Sequence, residues 1–127
     1  MDFSEFVGQV QHRLELSGEG EAVRAARATL TTLGERLQAG EADDLASSLP
    51  MEIDRFLREA ESGQRFGYDE FIDRVSEREG VDRADAVYHA KVVVGLVGEV
   101  TQVTEMRQVE NQLPADFGDL FELVEAD

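Results

Sequence analysis

Glu105 to Phe121, EMRQVENQLPADFGDLF, restates Glu41 to Leu57, EADDLASSLPMEIDRFL, at a constant spacing of 64 residues. Val109 falls on Leu45, Leu113 and Pro114 on Leu49 and Pro50, and Phe117, Leu120 and Phe121 on Ile53, Phe56 and Leu57. Apolar side chains recur where one face of a helix needs them, while polar ones drift freely between. One structural unit is used twice.

The echo extends outward on both sides. Phe3, Phe6, Val7, Val10 and Leu14 form an apolar stripe behind Asp2, which is placed to cap the helix with Glu5 three residues on. After Gly67, the residues Tyr68, Phe71, Ile72 and Val75 repeat that stripe at a spacing of 65, and Phe66 is placed to staple against Phe71. The change from 65 to 64 puts one extra residue into the loop near Leu16 to Gly20, where added length costs little.

The next predicted helix spans Glu19 to Gln38, with Ala22, Ala26, Leu30, Leu33 and Leu37 buried and Gly40 as its terminator. Asp82 caps its counterpart, whose stripe is Ala86, Ala90, Val94, Val97 and Thr101. Within it lies a conflict, because Val92 to Val97, VVVGLV, read alone is a buried strand. Its counterpart, ATLTTL at Ala28 to Leu33, has helical periodicity, and matched units keep one secondary structure, so a helix is predicted. A short third helix covers Glu41 to Ser48, Thr104 caps its twin at Glu105, and Pro50 and Pro114 open a fourth helix in each half. The expected fold is all-α: about eight helices in two four-helix repeats, 1–61 and 66–127, related by a pseudo-twofold. The polar linker 62–65 is too short to let the halves separate, so a single domain over 1–127 is expected.

Composition narrows the function classes. Cysteine is absent, which excludes disulfides, thiolate metal sites and cysteine nucleophiles. No apolar run approaches the ~20 residues that cross a bilayer, and Met1 to Glu5 lacks the features of a signal peptide, so a cytoplasmic location is expected. The 28 Asp and Glu against 12 Lys and Arg give a net charge of -16. Such a surface repels phosphate backbones and anionic membranes, so neither nucleic acid nor membrane is an expected partner. High acidity with Lys91 as the sole lysine points to a salt-loaded cytoplasm.

Three motifs together carry a family resemblance. The pattern aromatic-x-Glu-Phe-x-x-x-Val occurs at Phe3 to Val10, FSEFVGQV, and at Tyr68 to Val75, YDEFIDRV. A Gly-Glu pair follows in TLGERL, at Thr32 to Leu37, and in LVGEV, at Leu96 to Val100, and then comes Glu-x3-apolar-x3-Leu-Pro. As a set these resemble the family catalogued as domain of unknown function 2267, over essentially the whole chain. The resemblance implies an all-helical tandem-repeat protein of bacteria and archaea, with no activity or catalytic residue to carry over. Thr101, Val103 and Thr104 depart from the leucine and glycine usual in that turn.

No motif specifies a reaction. His12 reads as a solvated surface histidine, and His89, one turn after Asp85, has no third metal ligand at a recognisable spacing. Ser17 to Glu21 has two glycines but no lysine, and acids stand where phosphate would sit. No serine has a histidine partner at a recognisable spacing, so no catalytic residue, cofactor or metal ligand is nominated. Glu35 and Glu99 follow matching glycines, Gly34 and Gly98, which read as close helix contacts, and Glu41 and Glu105 read as favourable charge at helix starts.

The halves differ most on the second helix of each. Val93, Leu96, Val100 and Val103 replace Thr29, Thr32, Arg36 and Ala39, and His89 lies on the same added arc. The apolar face thereby widens from roughly 100° to roughly 220°. Either the first repeat covers this helix, or the arc is a contact surface for a partner protein or a second copy. The leading functional expectation is a non-enzymatic interaction or scaffold module using His89, Val93, Leu96, Val100 and Val103. The alternative is a small-molecule binder or enzyme with a pocket between the repeats lined by Tyr88, His89, Glu35 and Glu99.

Overall fold

The computed structural model describes residues 1–124. It is all-helical, and no strand occurs among the described residues. The order is α1 (Phe3–Arg13), α2 (Glu19–Arg36), α3 (Ala39–Ala46), α4 (Asp54–Arg58), α5 (Tyr68–Glu79), α6 (Arg83–Val100), α7 (Val103–Gln112) and a terminal 3₁₀ helix (Ala115–Phe121). The last three positions of the expected second repeat 66–127, namely 125–127, lie outside the described residues.

Caps account for several boundaries. The Asp2 carboxylate accepts the Glu5 amide at 2.9 Å, and Asp82 accepts that of Asp85 at 2.9 Å, as their positions predict. At α5 the N-cap is Gly67, and Asp116 from the 3₁₀ helix supplies the missing acceptor, taking the Tyr68 N–H at 3.0 Å. Helix α2 stops two residues short of Gln38, because Leu37 turns extended. Its terminal carbonyls are satisfied by the linker: Gly63 N–H donates to Leu37 O at 2.8 Å and Gln64 N–H to Glu35 O at 2.9 Å. Gly40 is therefore no terminator but lies in the first turn of α3, which starts at Ala39 rather than Glu41. Likewise Gln102 is the N-cap of α7, so Thr104 falls inside the first turn and caps nothing. The fourth helices differ in kind, α4 being a short α-helix after a turn and its counterpart a 3₁₀ helix directly after Pro114.

The strand-like run Val92 to Val97 is helical. Valine costs at most ~0.7 kcal/mol of helix propensity against alanine, while burying its side chain returns about 1.5–3 kcal/mol, so packing decides. Val93, Leu96 and Val97 are fully buried and Val92 and Val94 nearly so, because α1, α2, α5 and the 3₁₀ helix all pack on α6. Helix α2 is the other central element, contacted by α1, α4, α5 and α6. Its Ala22, Ala25, Ala26 and Ala28 are buried, and Gly34 lies so close to α4 that an added Cβ would be 2.8 Å from Leu57 O.

Candidate functional site

Helices α1 and α6 leave a groove of about 540 Å³ between them. Helix α1 contributes His12 and Arg13, Glu15 follows just after it, and α6 contributes Tyr88, Val92, Gly95 and Glu99, with Leu123 packed against Gly95. Gly95 makes this close approach possible, since a Cβ there would be 3.2 Å from that of Leu123. Two of the charges inside are paired, Arg13 donating to both Glu99 oxygens at 2.5 and 2.9 Å, while Glu15 is exposed. These hydrogen bonds hold the Glu99 carboxyl below the ordinary carboxylate range, against the opposing effect of partial burial. Tyr88 and Leu123 are 52% and 46% exposed, so the groove offers an aromatic and an aliphatic surface beside a neutralised ion pair.

Of the four residues expected to line a pocket, Tyr88 and Glu99 meet here, and Glu35 and His89 do not. Glu35 is buried elsewhere, taking two hydrogen bonds from Arg78 at 2.7 and 2.8 Å and one from Arg74 at 3.0 Å. Burial works to raise its pKa, and the two arginines outweigh this and lower it. His89 is buried with its Nδ1 against a carboxylate oxygen of Glu79, itself buried. Burial holds the Glu79 carboxyl above its ordinary range despite the imidazole. The expected contact surface is likewise not assembled as a surface. Val93 and Leu96 are core, Val100 is half-buried, and Val103 is 37% exposed. The wide apolar arc of α6 is covered from within the chain.

One cluster was not foreseen as a cluster. Glu41 of α3 and Glu105 of α7 face each other with Asp44 beside them, all three offering oxygens within 4.8 Å of one another. This is the acidic group with metal-compatible spacing among the described residues. A proton relieves the same crowding: burial first, and then Glu105, push the Glu41 carboxyl up to about 7. Gln112 donates to Glu41 at 3.2 Å. Glu41 and Glu105, 64 positions apart in the sequence, meet here.

An all-helical protein with an open groove crossed by one ion pair is thus the class that fold and site define. The chain belongs to the family described as uncharacterized conserved protein (DUF2267), whose sequence profile matches residues 3–120. No curated protein matches the chain.

Proposed function

We propose that the protein is a non-enzymatic interaction module, a duplicated helical scaffold that presents the groove between α1 and α6 to a partner protein. The observation that carries this is the make-up of the groove, where Arg13 and Glu99 neutralise each other while Tyr88 and Leu123 stand exposed. A catalytic cleft encloses its titrating groups away from water, whereas His12 and Glu15 are exposed. An aromatic and an aliphatic anchor inside a polar rim suit a contact hot spot. The net charge of -16 selects a partner with a basic face and works against pairing with a second copy.

The test is a pull-down from source cells at native salt with wild type and a Tyr88→Ala/Leu123→Ser variant. A protein retained by the first and lost by the second, with unchanged circular dichroism, is expected. Equal retention by both removes the groove from consideration. The volume of about 540 Å³ also falls in the range of small-ligand sites, so native mass spectrometry of the purified protein distinguishes the rival reading of a small-molecule binder.

A further inference from the structure

The groove that answers this one in the first half has a different character. Arg24, Arg27 and Thr31 of α2 and Arg78 of α5 line a cavity of about 410 Å³. At a spacing of 64 the α2 positions correspond to Tyr88, Lys91 and Gly95, and at a spacing of 65 Arg78 corresponds to Arg13. Most basic side chains on this acidic chain are spent on acids: Arg55 holds Glu59, Arg58 holds Asp43, Arg83 holds Asp69 and Lys91 holds Asp119. Arg24 and Arg27 are exposed and hold no carboxylate among the described residues. Glu79, whose carboxyl feels the charge of Arg24, is occupied by His89. Like charges one helical turn apart repel weakly, and an anion between them would relieve that repulsion.

A second cavity of about 500 Å³ shares Arg27 and Thr31 with the first, and Phe3, Val23 and Phe56 form apolar parts of its wall. We propose that Arg24, Arg27 and Arg78 form a binding site for the phosphate of a small organic phosphate ester, whose apolar body lies against Phe3, Val23 and Phe56. The two free guanidiniums supply planar forks of N–H donors that match phosphate oxygens, Arg78 adds positive charge while remaining on Glu35, and Thr31 adds a hydroxyl. The size of the cavity and the -16 charge favour one compact anion over an acidic protein or nucleic acid, whose many charges must all approach the acidic surface. This site is independent of the groove between α1 and α6.

Titration with phenyl phosphate and with inorganic phosphate, followed by amide NMR shifts at constant ionic strength, tests it. Phenyl phosphate is expected to perturb the amides from Arg24 to Thr31 and to bind more tightly than inorganic phosphate. Arg24→Gln/Arg27→Gln should weaken binding roughly tenfold or more, as loss of charge-assisted hydrogen bonds does. Arg65→Gln, which removes an exposed linker arginine that also holds no carboxylate among the described residues, should leave it unchanged. Phe56→Ser should weaken phenyl phosphate and spare inorganic phosphate. No shifts up to about 10 mM ligand, or equal losses in the Arg65 variant and the double variant, overturn the proposal.

Discussion

Arg78 and Glu35 are joined by two hydrogen bonds of 2.7 and 2.8 Å, and they tie α5 to α2 across the linker. Arg13 and Glu99 stand at the corresponding spacings of 65 and 64 residues and tie α1 to α6 in the same two-bonded manner, at 2.5 and 2.9 Å. Each half thus lends one arginine and one glutamate to the other. The two bridges differ in burial, the Glu35 side chain being 11% exposed and that of Glu99 50%. Arg78→Met is therefore expected to cost about 2 kcal/mol, reduced from the value for a fully buried pair because Arg74 still reaches Glu35. Arg13→Met should cost under about 1 kcal/mol, and urea unfolding of the two variants compares them directly.

The carboxyl pair at α3 and α7 gives a pH signature. The Glu41 carboxyl is raised from 4.5 to about 7 in the folded chain, so its contribution to stability is full below about 4.5 and is lost as pH rises through about 7. Glu41→Gln should flatten that loss, raising the melting temperature at pH 8 by several degrees, roughly 1 kcal/mol after allowance for solvent screening. At pH 4 the variant and wild type should melt together. Calorimetry at the two pH values checks both statements.

Two glycines and one glutamate form a backbone test within one chain. Gly34→Ala brings a Cβ within 2.8 Å of Leu57 O and 2.9 Å of the Ala60 Cβ, so it should destabilise by roughly 1–3 kcal/mol. Gly8→Ala, in α1 with nothing within 4 Å of the new atom, should stabilise by roughly 0.5–1 kcal/mol.

Glu15 has φ 53, the left-handed conformation that Gly80 adopts after α5 with φ 77. An L-residue is disfavoured there by roughly 1 kcal/mol, so Glu15→Gly should stabilise by about that amount. Thermal melts of the variant provide the reading.

Salt should matter more than for an ordinary domain. The Debye length falls from ~30 Å at 0.01 M to ~3 Å at 1 M, which removes most repulsion within a chain of charge -16. The melting temperature is expected to climb steeply between these concentrations of potassium chloride. A flat response would assign the acidity to binding a basic partner instead.

Helix order was readable from the repeat, and even the valine run of α6 was settled by its counterpart at Ala28 to Leu33. Helix starts were less so. Gly40 and Thr104 carry strong local preferences, yet Leu37 and Thr101 turn extended and so let α3 and α7 begin earlier. The grooves could not be read at all, because periodicity reports which face is apolar and not which neighbour covers it. Val93 and Leu96 therefore looked available, while Tyr88 gained its significance from Leu123, a residue 35 positions away that Gly95 admits.

The covalent linker has a consequence for what each groove is free to become. Two identical chains associated as these halves are would carry every substitution on both faces, so an arginine at position 24 would appear in both grooves at once. Joined through Gly63 and Gln64, whose amides end α2, the halves vary independently, and Arg24 stands where the other half has Tyr88. A single chain can in this way keep two reciprocal arginine–glutamate bridges while lining its two grooves with different chemistry.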